Sequence, residues 1–409
     1  QQQHSFAFFA ANDENTTFIV PGNLGSDVAV LAEESTNAVL RYRYDLNADL
    51  SLGWISSLRQ SDSYHNHLAG LDLKYKFTDQ DELVLQYLYA DSAYSEELRQ
   101  SFADSEAGLR LADDLSDPAY FLMYEHDDGA WFWNTEYLAL AQDFRADMGY
   151  MPQTDFHKFV QGLGYQWFSD TSWWNRAILS GDWDISHNAN NELLEKEAEL
   201  FLEFWGPQQS FFSVSLADRE KTGPRLNSQS LAIDGNTLMF NEQRLLTFAE
   251  FRPLPELYAN AEVELGDAID YRNNRLGELV QIAPEMSWNA STHLQIEARH
   301  TYRYLEADGA EVFTANLTDL RFSYQFSVRS LLRLTLIYSD IEQNPLNNPG
   351  LTQRLDRSLG SQLLYSYKLN PQTLFFAGYS DHAYQDDELT SLERDQRSVF
   401  MKFSYAWLL

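Results

Sequence analysis

The sequence predicts an all-β chain: a transmembrane, antiparallel outer-membrane β-barrel of about 20 strands, in a range of roughly 18 to 22, with both termini periplasmic. Three observations carry that prediction. Stretches of about ten residues alternate apolar and polar along nearly the whole chain, which is the period of a strand with one greasy face. The connections between them alternate between short and long. The last stretch, Val399–Leu409 (VFMKFSYAWLL), places Phe403, Tyr405, Trp407 and Leu409 on every second position. In a soluble protein an exposed aromatic strand is an aggregating edge. Closure in a bilayer removes the edge and gives the face a lipid solvent.

Composition agrees. The 409 residues suffice for one large barrel, expected as a single domain over 1–409. There is no cysteine, so neither disulfides nor thiolate metal sites are available. A net charge of −32 argues against nucleic acid as a partner. No run of about 18 apolar residues is present, which excludes a transmembrane helix. Alternating strands average to a low mean hydropathy, so that average does not argue against a membrane barrel. Aromatic residues are 14% of the chain and rich in Tyr and Trp, as interfacial girdles require. Gln1 is expected to open a mature chain or an excised fragment.

Taken in order, early strands are expected at Asn37–Tyr44, Leu50–Leu58, Leu68–Phe77 and Leu83–Tyr89. Short turns are expected at Asn47-Ala48, Asp79-Gln80, Ser169–Thr171, Pro207-Gln208, Pro253–Pro255, Ser327-Val328 and Asn370-Pro371. Long polar loops are expected at Asp13–Glu34, Ser92–Pro118, Asp143–Asp155, Lys221–Asn241, Tyr271–Glu278, Ile341–Arg357 and Asp386–Arg397. Tight turns at one end and long loops at the other are the asymmetry of an outer-membrane barrel. The run Glu192–Glu203 (ELLEKEAELFLE) fits either a helical or a strand period at Leu193, Leu194, Glu197 and Ala198. Its strand-like neighbours and the Pro207 turn favour a strand.

The closing residues Lys402, Phe403, Ser404, Tyr405, Ala406, Trp407, Leu408 and Leu409 resemble the C-terminal assembly signal of bacterial outer-membrane barrels. Ser404 stands where that signal prefers Gly, and Leu409 where it prefers Phe. The resemblance implies bacterial outer-membrane localisation and a barrel-assembly machinery as partner, with membrane lipid and lipopolysaccharide around the finished barrel.

Several segments also resemble the outer-membrane barrel region of the DUF5916 family. They are His4–Glu14 (HSFAFFAANDE), Asn37–Leu46, Tyr64–Asp72 and Arg394–Trp407, and above all Asp143–Phe156 (DFRADMGYMPQTDF). The last is similar to the family's aromatic–Gly–aromatic–x–Pro stretch between two strands. In that family the barrel usually follows a domain similar to family 9 carbohydrate-binding modules. Such a domain would lie upstream of Gln1. The family supplies no settled activity.

Alternation assigns faces. Leu40, Tyr42 and Tyr44, then Leu71, Leu73 and Tyr75, then Leu83, Leu85 and Tyr87 are expected on the lipid side. So are Leu200, Leu202, Phe204, Leu332, Leu334, Leu336, Phe403, Tyr405 and Trp407. The other phase is expected to line a lumen. It is basic near both chain ends, at Arg41, Arg43, Arg59, Lys74, Lys76, Arg321, Arg333 and Lys402. It is acidic in the middle, at Glu195, Glu197, Glu199, Glu203, Glu262, Glu264, Glu285 and Glu297. Asp72, Arg176 and Arg299 break that pattern. Two opposed charged walls across water would orient polar solutes. Equally, the charges would serve only to pair with one another or with inward-folded loops.

The Asp143–Phe156 connection is too apolar for a solvated loop. Phe144, Gly149, Tyr150 and Pro152 are expected to form a constriction, with Gly149 in an unusual backbone angle and Pro152 stiffening the segment. No HExxH, P-loop or GxSxG is present, so no enzyme, no cofactor and no catalytic residue are expected. His65 and His67, two apart beside Asp62 and Asp72, share a strand face and would hold a metal only with a further ligand. Loop-edge polarity is the plainer reading, and no metal is expected. Asp113, Asp114 and Asp117 in a long loop lack EF-hand spacing and read as solvated. The function expected is an outer-membrane channel for saccharides or other small polar solutes. The alternative is a plugged barrel that anchors or scaffolds a periplasmic or surface protein partner.

Overall fold

The computed structural model describes residues 3–112, 114–370 and 373–405, apart from the Thr16 side chain. Asp113, Pro371, Ala406, Trp407, Leu408 and Leu409 lie outside the described residues.

Twenty strands make one antiparallel sheet. In chain order its strands are β1 (His4–Asp13), β4 (Ser35–Asp45), β5 (Leu50–Gln60), β6 (His65–Lys76), β7 (Asp81–Ala93), β8 (Leu115–Asp128), β9 (Trp131–Leu140) and β10 (Phe156–Phe168). β11 (Arg176–His187), β12 (Leu193–Trp205) and β13 (Phe211–Thr222) follow. Next come β14 (Met239–Leu254), β15 (Leu257–Asp270), β16 (Arg275–Asn289), β17 (Leu294–Ala307) and β18 (Ala310–Ser327). The last are β19 (Ser330–Gln343), β20 (Leu355–Asn370), β21 (Thr373–Gln385) and β22 (Glu393–Ser404). In the run Glu192–Glu203, Leu193–Glu203 is strand, within β12 (Leu193–Trp205).

The chain divides into two compact units. One is Gln1–Trp167, Leu179–Leu200 and Ala217–Asn241; the other is Phe168–Ile178, Phe201–Leu216 and Glu242–Leu409. In each, cross-strand register keeps the two faces chemically distinct. In the first unit Tyr42, Trp54, Leu71, Tyr87 and Tyr120 stand opposite one another across β4 to β8. One position along, Arg43, Gly53, Asp72, Gln86 and Phe121 form the matching row on the other face. In the second unit Trp288, Ile296, Phe322, Leu334, Leu363, Tyr379 and Val399 form an apolar row from β16 to β22. Ser287, Glu297, Arg321, Thr335, Gln362, Ser380 and Ser398 form its polar neighbour. A slip of one residue would exchange the faces, so the alternation in sequence fixes the register.

The apolar face is open. Leu71 is 62% exposed there, beside Leu52, Tyr87 and Leu122. Phe403 and Tyr405 are exposed at the end of β22.

The connections at one end are short. Those at the other are mostly long, and two of them contain structure that the polar composition hid. Between β1 and β4 lies the hairpin of β2 (Thr16–Pro21) and β3 (Ser26–Leu31). Between β7 and β8 lie α1 (Glu96–Ser101) and α2 (Glu106–Arg110), capped by the Ser95 and Ser105 hydroxyls. The β17–β18 connection breaks the rule. It is the tight pair Asp308-Gly309 at the long-loop end, with φ of +55° and +74°. Left-handed angles at both central residues are what a two-residue hairpin turn needs.

Lysine placed on the two faces separates their environments. Leu71→Lys is expected to cost about 2–4 kcal/mol at mid-bilayer depth and to cut the yield of folded protein in outer membranes. Gln86→Lys, one position along on the opposite face beside Asp72, is expected to fold normally. Heat-modifiable mobility of both variants is the measurement, and equal yields would reverse the face assignment.

Candidate functional site

In the first unit the long loops fold onto the polar face as a packed cap. Its apolar core comes from one face of the β2–β3 hairpin, with residues of both strands, and from the helices. Phe18, Val20, Ala29 and Leu31 pack with Tyr64, Tyr94, Leu98 and Leu111. Phe18 stacks on Tyr64 at 5.3 Å, and Tyr94 lies within 5.5 Å of both rings.

The 141–155 connection joins the cap to the sheet. Phe144, 2% exposed, packs on Leu68, Ala90 and Ala119, which belong to the polar-face alternation of β6, β7 and β8. Asn66, fully buried on the same face, donates to the Arg145 carbonyl at 3.0 Å and to Ser92 Oγ at 2.7 Å. It accepts from the Asp147 amide at 3.2 Å. The Asp147 carboxyl sits in the cap core, where the Tyr64 and Tyr94 hydroxyls donate to it at 2.6 and 2.8 Å. Arg59 donates to the carbonyls of Thr17 and Asp147, both at 3.1 Å. One sheet arginine thus ties the hairpin and the 141–155 segment to β5.

Among these loops lies a polar cavity of about 410 Å³. Three guanidinium groups reach it from different loops: Arg110, Arg145 and Arg225. Arg110 pairs with Asp27 at 2.7 Å, and Arg225 with Glu106 at 2.8 Å. Arg145 is spent on carbonyls, donating to Gln142, Phe144 and Arg110 at 2.8–2.9 Å. Asp143 and Asp155 face the same space. Asp155, at φ +55°, accepts from Asn23 at 2.6 Å and from the Ala189 amide at 3.1 Å. Carboxylates, amides and guanidinium groups around one small volume suit a polyhydroxylated or anionic solute.

The residues expected in the lumen lie on the polar face, but not as walls of single sign. Arg41 makes a two-point pair with Asp72, one contact at 2.8 Å. Gly53 makes that pair fit, since a Cβ there would collide with both side chains. Arg43 pairs with Asp45 at 2.7 Å, and Lys74 and Lys76 reach Glu82 at 2.5 and 3.9 Å. Glu195 meets Lys221 at 2.7 Å and Glu197 meets Arg219 at 3.7 Å, with Glu199 on the same alternation. In the second unit Glu264 faces Arg244 at 3.7 Å, Arg321 pairs with Glu297 at 3.1 Å, and Gln281 donates to Glu262 at 3.2 Å. Arg333 donates to Ser323 at 3.3 Å, and Lys402 stands opposite Phe376. The expectation of one basic and one acidic wall is therefore corrected within each unit. Apart from Arg43, whose partner Asp45 lies on its own strand, the counter-charges in these pairs come from other strands, which a pattern read along one strand does not show.

Two expectations for the 141–155 segment are also refined. Gly149 is not left-handed; its amide closes a turn onto the Ala146 carbonyl at 2.8 Å, and Asp155 carries the positive φ. Tyr150 is 85% exposed and Pro152 is exposed, while Phe144 is the buried anchor. Of the assembly signal, Trp407 and Leu409 lie outside the described residues. The cap helices were missed in sequence. Ser95-Glu96-Glu97 and Ser105-Glu106, each a capping hydroxyl before acidic first-turn residues, were the signals available.

The sequence matches no protein-family model and no curated protein. Solved structures match over almost the whole chain. The siderophore receptor PirA from Acinetobacter baumannii is 7% identical with a TM-score of 0.50, covering 98% of this chain and 73% of that one. A mutant ferric enterobactin receptor from Pseudomonas aeruginosa, in complex with enterobactin, is 8% identical with a TM-score of 0.54, covering 97% and 72%. The chain has the fold of a bacterial outer-membrane β-barrel. That fold places it in the outer membrane, with the apolar face toward lipid and the polar face inward.

The cap carries its own pH dependence. Burial pushes the Asp147 carboxyl above its ordinary value of 3.8, against the opposing pull of the Tyr64 and Tyr94 hydroxyls and of Arg145 and Arg59. Burial raises Asp143 and Asp155 as well. A carboxyl that holds its proton to higher pH when closed takes up a proton on closing. The cap is therefore tightest below the ordinary carboxylate range and loosens as pH rises through the raised values. Glu33, held below 4.5 by hydrogen bonds from Ser63 and Ser61, has the opposite sign and acts only in stronger acid. Amide exchange of residues 143–147, divided by the intrinsic rate at each pH, is expected to accelerate from acid toward neutral pH. Asp147→Asn should flatten that slope, leaving the part carried by Asp143 and Asp155. An unchanged slope would remove Asp147 from this role.

Proposed function

We propose that the protein is an outer-membrane transport barrel for small polar solutes, with the loop cap as its gate and the cavity among its loops as its outer binding site. The observation that carries this reading is the cap itself. Loops distant in sequence pack over the polar face and together line a partly open polar cavity instead of extending into solvent. A purely structural rim needs no such loop-lined cavity. Saccharides are the solute class favoured. The cavity offers carboxylate, amide and guanidinium groups together, and the resemblance to DUF5916 barrels associates this region with a carbohydrate-binding-like domain. Assembly would proceed through the barrel-assembly machinery, using the aromatic alternation of β22.

The density of the cap also favours a second reading, a closed barrel that serves as a scaffold. The two part on permeation. Replacing both Tyr64 and Tyr94 by Phe strips the Asp147 carboxyl of its hydroxyl donors. That costs roughly 1–3 kcal/mol per unsatisfied buried group, enough to raise the open population about tenfold or more. In planar bilayers the double variant is expected to open more often than the parent, and proteoliposomes carrying it to swell faster in small sugars. Folded parent and variant that both fail to conduct would leave the scaffold reading standing and the transport reading without support.

A further inference from the structure

The geometry points to a transition-metal site on the outer face of the β6–β7 pair, formed by His65, His67 and Asp91 and suited to an ion of the Zn²⁺ class. His67 and Asp91 are directly opposed in register, and His65 follows on the same face two residues away. One ligand atom from each lies within 4.8 Å of the others. His65 Nε2 is 3.1 Å from Asp91 Oδ2, and the two imidazole rings are 4.8 Å apart. Ligand atoms about 2.0–2.1 Å from a tetrahedral ion are roughly 3.3 Å from each other, so one edge of the site is already at that spacing and small χ rotations close the rest.

A His–Asp hydrogen bond at a strand end would by itself be ordinary polarity. The second histidine is what that explanation leaves over. His67 Nε2 is shut off from solvent and has no hydrogen-bond partner. A sealed imidazole nitrogen without a partner costs free energy unless something coordinates it. Neither carboxylate near the pair in sequence completes the set. Asp72 lies on the opposite face, committed to Arg41, and Asp91 arrives from the neighbouring strand instead. Two imidazoles and a carboxylate select a borderline ion such as Zn²⁺, Cu²⁺ or Ni²⁺ over Ca²⁺ or Mg²⁺, with water free to take the fourth position.

The place gives the site a consequence. Asn66 lies between the two histidines on the other face, where it holds the Arg145 carbonyl and the Asp147 amide. Ser92, next to Asp91, is its partner across the strands. An ion outside would clamp β6 to β7 at the level where the cap is anchored inside.

The test uses the full chain in detergent, free of affinity tag and stripped with a chelator, titrated with Zn²⁺ by calorimetry. One equivalent is expected to bind, with a Cu²⁺-loaded sample showing nitrogen coupling in its electron paramagnetic resonance spectrum. Asp91→Asn, close to isosteric, and His67→Ala are each expected to weaken binding about tenfold or more. His157→Ala removes one member of a stacked histidine pair (5.6 Å) and should leave the affinity unchanged. Absence of binding to the parent overturns the proposal. So does parental affinity in folded Asp91→Asn, which would place the ion elsewhere. Heat-modifiable mobility establishes that each variant is folded.

Discussion

The cap depends on one buried carboxyl finding partners. Asp147 lies out of reach of water, and a lone carboxylate there would cost several kilocalories per mole. Two tyrosine hydroxyls, one from the end of β5–β6 and one from the end of β7, converge on it. The backbone on either side of that carboxyl is held by Asn66 and Arg59 from the sheet. Tyr64 and Tyr94 in turn provide the aromatic surface against which Phe18 of the hairpin packs. Removing the carboxyl would release the partners that position the apolar core, and so polar and apolar packing stand or fall together. The same low-dielectric setting that strengthens these bonds makes each missing one expensive.

Charge on the inward face follows a related rule at lower stakes. Arg41 and Asp72 meet across β5 because Gly53 leaves them room. Half-exposed pairs of this kind contribute little stability, about 0–1 kcal/mol each. Their effect is on the field inside: neighbouring opposite charges cancel within a few ångströms, so a solute would meet alternating donors and acceptors and no uniform potential. Selection by hydrogen bonding among the cap loops then matters more than selection by net charge along the sheet.

Much of this was legible in sequence, and the reasons are physical. Alternation with period two fixed the faces of β4, β6, β7 and β19 residue by residue, because a one-place slip is so costly. The apolar character of Phe144 and its neighbours marked the 141–155 segment as something other than a free loop. What could not be read were relations between segments. Nothing local in Asn66 says that it will meet Asp147, 81 positions away. Nor does the spacing of His65 and His67 reveal Asp91, which depends on strand register. The acidic composition of 92–118 concealed two short helices, since solvated loops and capped helix starts share Ser and Glu. Even a correct strand pattern, therefore, left the pairing of charges and the contents of the cap undetermined.

Open probability of the reconstituted protein as a function of pH tests the account most directly, because it joins the buried carboxyl to passage. The account predicts openings that become more frequent from acid toward neutral pH in the parent, as Asp147 loses its proton and the cap loosens. In folded Asp147→Asn the dependence should be largely lost. A parent whose openings are indifferent to pH, or a variant that keeps the full dependence, would contradict it.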